Sequence, residues 1–595
     1  MLISDRISSY LSKNNLEDVF MVTGGAAMYL NDSLTRNKSL KTTFFHHEQA
    51  CAMAAEAYAR IKGKVPVVCL TAGPGGINSL NGIFGAFNDS LPIIVLSGQV
   101  RTETLNENKK LRQLGDQEAP ITEIVKSITK YSKIIRNPNE IDYELDKALR
   151  LATSGRPGPV WLDVPINIQN SAYNKNKQKK LEAVQESIVK QSEYKKLEVL
   201  YEKIKMSKRP VVLAGSGIRI SNQFEQFHRF INNFNIPVVT GFNAHDLMWE
   251  GNHRYVGRAG TIGNRSGNIV VECADLLIIL GSRLNVRQIG YNFDFFGKDA
   301  FCCYVDVDKE ELNKPTLTNI DLKINMELSE YFKFFNRKKS KHDFKHHKQY
   351  LKWSKNIHIK YGPHYEKYPK VKNINPYKFT SELSGFLKND DVITFSNATA
   401  GIIPNQALIL KKRQRFYGSS GSGSMGFGLP SSIGASIASK KRIICFEGDG
   451  SIQMNIQELA TISHNSLNIK IFIFSNNGYH SIRQTQKNYF KDNLVGIDDK
   501  TGLSFPDFNK IAQAYNIKYY KINSHNEIQN KLNNVLKNNK PTICEVMLDS
   551  AINYQPKVSS KKNSSGQIVS AKLYDMSPFI PKSEMEEILK IKDDN

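Results

Sequence analysis

The sequence predicts an α/β protein that consists of three doubly wound parallel-sheet domains. Short apolar runs bounded by turn residues alternate with helical patterns through most of the 595-residue chain. A chain of this length exceeds what a single hydrophobic core supports. Polar, lysine-rich stretches divide it, and we therefore expect domains at 1–168, 196–335 and 373–552, linkers at 169–195 and 336–372, and a polar tail at 553–595.

The first two blocks alternate strand and helix patterns. In the first block a helix is predicted over 48–61 and apolar strands over 65–70 and 92–99, with the glycine-rich crossing TAGPGGIN between the strands. Strands that alternate with helices favour a parallel sheet covered by helices on both faces. The second block repeats the pattern with apolar runs in 209–217, 237–240, 274–281 and 303–308.

The third block holds the most informative segment, which extends from Glu447 to Tyr479. Apolar strands over 442–446 and 469–474 enclose a helix predicted over 456–465, and together they form a βαβ unit. Asp449 follows the first strand, and Asn477 follows the second. Ligands of open α/β sheets bind at the carboxyl ends of the strands. Because carboxylate and amide oxygens are hard ligands, we predict a magnesium or calcium ion that carries a diphosphate.

Composition argues against several classes of protein. No run of eighteen apolar residues exists, so no membrane span is expected, and the amphipathic start without a signal-peptide core predicts a cytoplasmic protein. The seven cysteines include no CxxC pair and are expected to be buried thiols. The net charge of +24 is diffuse and accompanies many Asn and Ile residues, so functional nucleic-acid binding is not expected.

The Gly-Asp-Gly and Asn-Asn elements resemble the diphosphate motif of thiamine diphosphate (ThDP) enzymes. With FFHHEQACAMAAEAYAR, TAGPGGINSLNGIFGA, SGRPGPVWLDVP and GSGSMGFGLPSSIGA, the chain is similar to the acetolactate synthase branch over nearly its whole length. The resemblance implies pyrimidine-binding, central nucleotide-binding-like and diphosphate-binding domains, in that order. It also implies small-molecule substrates and a homodimer or tetramer, and it leaves a regulatory subunit open.

The resemblance assigns catalytic roles to three residues. Glu48 matches the glutamate that hydrogen-bonds the aminopyrimidine ring and activates the cofactor, and apolar surroundings would raise its pKa. Gln117 aligns with a substrate-side glutamine. Met425 matches the apolar residue that wedges between the two cofactor rings. A solvated helix glutamate and simple core filling are the structural alternatives for Glu48 and Met425.

The same resemblance implies the residues that hold the diphosphate and its metal. Asp449, Asn477 and the carbonyl of Tyr479 would bind Mg²⁺. Three further positions are expected to contact the cofactor. Gly450 and Ser451 would do so through amides at a helix start, which suit phosphate oxygens, and Gly423 through its carbonyl group.

A second cofactor, FAD, is implied for the middle block. The segment GSRLNVR, residues 281–287, resembles the flavin-contacting segment of acetolactate synthases. The family's Met-His pair is replaced by Arg258-Ala259, so ADP or an empty site stays open as an alternative. The positions expected to contact the flavin are Arg156, Gly215, Gly217, Gly281, Arg283, Arg287 and Asp306.

The helix after Asn477 departs most from the family. Acetolactate synthases have Met-Val-x-Gln-Trp there, whereas this chain has HSIRQTQ from His480 to Gln486. Arg483 near the reacting carbon would favour a carboxylate, phosphate or polyhydroxy acceptor, or it could instead face solvent or pair with an Asp.

The sequence therefore predicts a ThDP- and Mg²⁺-dependent enzyme that decarboxylates a 2-oxo acid, pyruvate, and passes the acyl group to a carbonyl acceptor, as acetolactate synthases do. The first alternative is a carboligase that adds an acetyl unit to a keto-sugar or another polar acceptor. The second is a simple 2-oxo acid decarboxylase or a non-catalytic member of the fold.

Overall fold

Three six-stranded sheets, each entirely parallel, form the frame of the protein. The computed structural model describes residues 1–108, 110–179, 190–338, 343–490, 493–562 and 568–593. Helices accompany each sheet, and the predicted fold class is confirmed. In the described parts of the chain no helix is long and apolar enough to cross a membrane, and all seven cysteines are buried and unpaired.

The first sheet has the strand order β2-β1-β3-β4-β6-β5. Alternate residues of its strands enter different cores: Val67 and Cys69 pack on one face, and Val68 and Leu70 on the other. Its strands are β1 (Asp18–Met21), β2 (Lys41–Phe44), β3 (Val67–Leu70), β4 (Ile94–Gln99), β5 (Tyr131–Ile134) and β6 (Val160–Pro165). Its helices are α1 (Ile3–Lys13), α2 (Met28–Arg36), α3 (Glu48–Lys62), α4 (Pro74–Asn78), α5 (Leu80–Asn88), α6 (Ile121–Ile124), α7 (Ile141–Thr153) and α8 (Ile166–Gln169).

The second sheet has the order β12-β11-β10-β7-β8-β9. Its central strands are fully buried because apolar cores cover both faces. The strands are β7 (Pro210–Ala214), β8 (Val238–Thr240), β9 (Tyr255–Arg258), β10 (Leu276–Leu280), β11 (Phe301–Asp306) and β12 (Leu322–Asn325). The helices are α9 (Gln191–Met206), α10 (Gly217–Ile220), α11 (Phe224–Phe234), α12 (Arg265–Glu272), α13 (Val286–Ile289), α14 (Lys309–Leu312), α15 (Leu328–Arg337) and α16 (Lys345–Tyr361).

The third sheet has the order β14-β13-β15-β16-β18-β17, so the chain reverses direction across the sheet between β13 and β15. Such a switch point leaves a crevice at the carboxyl ends of the two strands. The strands are β13 (Val392–Phe395), β14 (Arg415–Gly418), β15 (Ile443–Gly448), β16 (Ile469–Ser475), β17 (Lys518–Ile522) and β18 (Thr542–Met547). The helices are α17 (Pro376–Phe386), α18 (Ala398–Ala407), α19 (Gly428–Ser439), α20 (Glu458–His464), α21 (His480–Phe490), α22 (Phe508–Ala514) and α23 (Ile528–Lys537).

The stretch predicted as the second linker is largely helical. Helix α16 places Tyr350, Ile357 and Tyr361 in the same apolar core as α12 of the central domain. These three residues are seven and four positions apart, which is the spacing of one helix face. The surrounding lysine and histidine residues concealed this apolar stripe in the composition, and the segment therefore belongs to the central domain's packing.

The segment predicted as a polar tail also folds onto the central domain. It contains β19 (Lys557–Val558), β20 (Ser560–Lys562), β21 (Ile568–Ser570), β22 (Met576–Ser577) and α24 (Lys582–Leu589). Arg265 Nη1 donates to the carbonyl of Met576 at 2.9 Å, and Asn268 Nδ2 donates to that of Leu573 at 2.9 Å. These partners lie about 300 positions downstream, which local pattern cannot reveal.

Helices α3 and α19 join the first and third domains through small side chains. Alanines such as Ala50 and Ala54 on α3 are fully buried. Gly434 of α19 lies against α3 so closely that a Cβ atom there would collide with the carbonyl oxygen of Ala54. The start of α3 is also fixed by the third domain, because Glu458 accepts hydrogen bonds from two backbone N–H groups, those of His46 and His47, each at 3.1 Å.

We expect Gly434→Ala to destabilise the protein by about 1–3 kcal/mol, because the added methyl group forces the two helices apart. Urea-induced unfolding of the cofactor-free protein measures the change. Gly385→Ala in α17 is the matched control, since a Cβ atom there meets nothing within 4 Å. That variant should be neutral or more stable by up to about 1 kcal/mol, from helix propensity alone. Equal stability of the two variants would contradict the packing argument.

Candidate active site

A cavity of about 520 Å³ lies at the switch point of the third sheet. The loops that follow β13, β15 and β16 border it, together with the segment before α19. Its position agrees with the carboxyl-edge site that the βαβ motif predicts. The predicted cofactor residues that line it are Gly423, Met425, Asp449, Gly450, Ser451 and Tyr479.

Asp449 is the fixed acidic group of this cavity. Its Oδ2 atom accepts from the backbone N–H groups of Asn476 at 3.0 Å and Gly478 at 3.2 Å, and its Oδ1 atom accepts from Gly450 at 2.9 Å. Burial raises the pKa of Asp449 to about 6, against the lowering effect of these three N–H groups. The carboxylate thus ties the turn after β15 to the turn after β16.

Asn477 lies in that second turn, beside the residues that line the cavity. Its φ of 53° is left-handed, which Asn tolerates better than most residues, and its side chain is exposed. In the described part of the chain no three His, Cys, Asp or Glu side chains converge as a metal site. One carboxylate, one amide and a backbone carbonyl instead fit Mg²⁺ that is bound together with phosphate groups.

Hydroxyl and amide groups form the rest of the rim. Ser451 Oγ accepts from the N–H of Gly426 at 2.7 Å and lies 2.6 Å from Ser396 Oγ. The Oδ1 atom of Asn476 is buried and has no hydrogen-bond partner among the described residues, so this edge leaves an acceptor for a bound group. The residues after Ser451 form one 3₁₀ turn, Ile452–Asn455, where the sequence predicts a continuous helix start.

Tyr554 also contributes to this rim, and no sequence pattern predicts it. Its hydroxyl group lies 2.8 Å from Thr399 Oγ1, which in turn accepts from Asn476 Nδ2 at 3.3 Å. Tyr554 lies in the segment predicted as a tail, so only tertiary contact could place it here.

Glu48 lies in the first domain, at the start of α3. It is half-buried and accepts a hydrogen bond from Asn78 Nδ2 at 3.0 Å. The backbone of Gln117 packs against Gly73 in the same glycine-rich crossing, where a Cβ atom on Gly73 would collide with the Gln117 carbonyl. Glu48 and Gln117 therefore share one edge of the first domain, and neither is among the residues that line the cavity of Asp449 in the same chain.

Three family models match the three domains in order. They are described as the N-terminal TPP binding domain, the central domain and the C-terminal TPP binding domain of thiamine pyrophosphate enzymes, and they cover residues 1–120, 197–329 and 399–546. The chain belongs to the thiamine pyrophosphate enzyme family. It is thus a ThDP-dependent enzyme, and the two separated edges described above lie in its two ThDP-binding domains.

Curated relatives match this ThDP enzyme over almost its full length. An acetolactate synthase large subunit from Lactococcus lactis subsp. lactis is 28% identical over 567 residues, which cover 95% of this chain and 96% of that protein. Acetolactate synthase 1, chloroplastic, from Zea mays is 29% identical and covers 94% and 87%. The large subunit from Cyanidium caldarium is 29% identical and covers 93% and 94%.

A second cavity of about 240 Å³, here called the central cavity, lies between the first and central domains of this ThDP enzyme. Residues predicted to contact the flavin line it, as expected for a nucleotide site: Arg156, Gly217, Gly281, Arg283 and Asp306. Burial raises the pKa of Asp306 to about 6. Five of the seven predicted flavin residues are therefore brought together.

The remaining two predicted flavin residues lie elsewhere. Gly215 packs against the backbone of Gly281, where a Cβ atom would collide with the carbonyl oxygen, so its small size serves chain packing. Arg287 instead lines the cavity of Asp449 at the switch point of the third sheet, here called the ThDP cavity, together with Phe242 and Ile262. The side chain of Arg287 is exposed and has no ion pair within the described residues.

The arginines of the central cavity are already paired. Arg156 Nη1 lies 3.0 Å from Asp308 and 2.8 Å from Glu311, and Arg283 lies 3.7 Å from Glu311. A nucleotide diphosphate would have to share these guanidinium groups with the carboxylates.

Arg258, which replaces part of the family's Met-His pair, connects two domains. It is 2% exposed, and its guanidinium donates to the carbonyls of Asn405 at 2.5 Å and Leu408 at 2.6 Å. These carbonyls end helix α18, whose first residues border the ThDP cavity. A buried cation at a helix C-terminus is favourable, so Arg258 has a structural role here.

The helix after Asn477 contains the three residues that were predicted for the substrate side. Arg483 is buried, and its Nη2 donates to the carbonyl of Asn477 at 2.6 Å while Asp498 lies 3.5 Å away. It thus holds the turn that contains Asn477 and lies near an Asp, which is the alternative that the sequence left open. His480 Nε2 contacts the carbonyl of Ile552 at 3.0 Å, and Gln486 bonds the backbone of Val495. None of the three lines the cavity in the described part of the chain; Ser481 and Ile482 of the same helix do.

Proposed function

We propose that this ThDP enzyme decarboxylates pyruvate and transfers the acyl group to a second 2-oxo acid, as the names of its acetolactate synthase relatives suggest. When bound, ThDP supplies the electron sink for the carbanion left by decarboxylation. The main support is the cavity at the switch point, where Asp449 is fixed by three backbone N–H groups beside Met425.

The residues of this chain would then have distinct tasks. Asp449, Asn477 and the Tyr479 carbonyl hold Mg²⁺, and the amides of Gly450 and Ser451 bind phosphate oxygens. Met425 and the carbonyl of Gly423 orient the cofactor rings. Glu48 holds and releases a proton at the aminopyrimidine ring.

We further propose that two copies of the chain complete each active site. Glu48 and Gln117 lie away from the cavity of their own chain, so a second copy must present them to it. A homodimer in the cytoplasm is the smallest assembly that meets this requirement.

Arg287 is the candidate residue for recognising the acceptor. It is an exposed guanidinium in the ThDP cavity without an ion pair in the described structure, and a carboxylate is its natural bidentate partner. This favours a 2-oxo acid as acceptor. The keto-sugar alternative rested on Arg483 and Gln486, and these side chains bond the backbone of Asn477 and Val495.

The proposed activity is tested by supplying pyruvate, ThDP and Mg²⁺ and measuring both carbon dioxide and acetolactate. We expect two pyruvates to be consumed for each carbon dioxide released. A screen of other carbonyl acceptors accompanies the assay. Carbon dioxide release with acetaldehyde as the sole product would instead identify a simple decarboxylase, and no release from any 2-oxo acid would refute the proposal.

Arg287→Gln should lower acetolactate formation at subsaturating pyruvate by about tenfold or more, because the acceptor carboxylate loses a charged hydrogen bond. Carbon dioxide release from the donor should fall less, which a product ratio measures directly. Arg287→Lys is the matched control and should retain part of the coupling. A parallel loss of both products would argue against a role in acceptor binding.

We propose FAD as the ligand of the central cavity. The glycine turn at Gly217 and the guanidinium groups of Arg156 and Arg283 support a dinucleotide there. The purified protein should be yellow, and Arg283→Gln should lose the flavin absorption. A colourless protein that releases ADP on denaturation would show that the site holds ADP instead.

A further inference from the structure

A third cavity, of about 180 Å³, lies where the three domains meet. It is lined by one arginine from each domain: Arg60 near the end of α3, Arg219 in α10 and Arg415 of β14. We call it the triarginine cavity. Asp246 is the acidic residue among those that line it. The cavity is separate from the ThDP cavity, and the proposed function does not use it.

The three guanidinium groups are held in place but not saturated. Asp246 Oδ2 accepts from Arg415 Nε at 2.6 Å, and its Oδ1 lies 3.5 Å from Arg219 Nε. Arg60 uses Nη2 to reach Asp89 at 2.7 Å. In the described structure the Nη1 atoms of all three arginines have no protein partner.

The residues that line the cavity carry an unbalanced charge, because they include three arginines and one aspartate. Three guanidinium groups face the carboxylates of Asp246 and Asp89. The other neighbour of Arg60 is Glu56, whose carboxylate is fully buried and lies 3.1 Å away; burial raises the pKa of Glu56 to about 8. Burial, together with the nearby charge of Arg415, lowers the pKa of Arg219. An anion in the cavity would relieve this repulsion.

We propose that the triarginine cavity binds a small oxyanion, a carboxylate or phosphate group, which links the three domains. Each free Nη1 atom can donate to one of its oxygens. The anion can be a free ion, or it can be the phosphate end of a nucleotide, because the triarginine cavity and the central cavity share Thr153, Pro157, Ser216 and Ile220. Since its ligands come from all three domains, binding should also stabilise their arrangement.

The test is a calorimetric titration of the full chain with inorganic phosphate and, separately, with acetate. Saturating ThDP and Mg²⁺ are present, so that the diphosphate site is filled. We expect saturable binding of one phosphate per chain and a phosphate-dependent rise in the unfolding temperature. Arg219→Gln should weaken phosphate binding by about tenfold to a hundredfold, the effect of one charged hydrogen bond or two.

Two further variants keep the test decisive. Arg229→Gln removes the same charge from an exposed position of α11 and should bind phosphate as the wild type does. Arg219→Lys preserves the charge next to Asp246 and should fold normally, yet bind more weakly because an ammonium group lacks the planar fork. Absence of saturable binding, or unchanged affinity in both Arg219 variants, would overturn the proposal.

Competition identifies the source of the anion. If ADP displaces phosphate and adenosine does not, the phosphate groups of a nucleotide occupy the triarginine cavity. If ADP and phosphate bind together without competition, the occupant is a free small anion. Either result supports an oxyanion site. A lower affinity of Arg219→Gln for phosphate, and for ADP if ADP competes with it, then shows that the anion binds in the triarginine cavity.

Discussion

Asp449→Asn should abolish turnover and lower the affinity for ThDP at fixed Mg²⁺ by about a hundredfold or more. The amide has nearly the shape of the carboxylate but lacks its charge, so it cannot neutralise Mg²⁺. Only one of its two polar atoms can accept a hydrogen bond, so if its oxygen keeps the bonds from Asn476 and Gly478, its NH₂ group faces the N–H of Gly450 and that bond is lost. Calorimetric titration of ThDP at several Mg²⁺ concentrations measures the loss.

The matched control is Asp390→Asn, an exposed aspartate of the same domain whose side chain is 53% accessible. It should bind ThDP normally. Treatment of the wild type with a chelator should release ThDP and mimic Asp449→Asn, and added Mg²⁺ should restore binding. If Asp449→Asn binds ThDP with wild-type affinity and Mg²⁺ dependence, the metal assignment is wrong.

Glu48→Gln should lower turnover by about 10²- to 10⁴-fold, the range that a positioned acid–base group contributes. ThDP should remain bound, because the diphosphate and metal are held by other residues. Steady-state kinetics and ThDP titration separate the two effects. Glu103→Gln, an exposed glutamate of the same domain at 62% side-chain accessibility, is the matched control and should be fully active.

The same variant tests the two-chain site. When Glu48→Gln and Asp449→Asn chains are co-expressed, random pairing gives half mixed dimers, and each mixed dimer contains one intact site. About a quarter of the wild-type activity should therefore return, although each variant alone is inactive. Activity that stays at the level of the separate variants would place Glu48 and Asp449 in the same chain's site.

The fold class and the metal–diphosphate motif could be predicted because both depend on local pattern. Strands buried on both faces, such as β15 and β16, must be continuous apolar runs, and the polar residue after each run must lie at the carboxyl edge. Asp449 lines the cavity at this edge, and its role as a metal ligand stays a prediction. Helix α16 was not predicted, because basic residues separate its apolar positions in the sequence.

Side-chain direction depends on the tertiary structure. Arg483 lies in the helix whose sequence departs most from the family, yet its guanidinium donates to the carbonyl of Asn477. A buried charged donor needs acceptors, and this carbonyl and Asp498 provide them. Arg287 was grouped with the flavin residues by its position in one segment, and the structure places it in the ThDP cavity.

The three-sheet architecture and the cofactor family follow from the amino-acid sequence, because strand period, chain order and turn chemistry are local properties. Which charged side chains remain unpaired depends instead on contacts between distant parts of the chain. In the folded protein, Arg483 and Arg258 donate to backbone carbonyls, whereas Arg287 is exposed in the ThDP cavity. Three arginines from three domains line one further cavity. A guanidinium group donates to the nearest acceptor that the fold holds in place. Contacts between residues far apart in the chain position that acceptor.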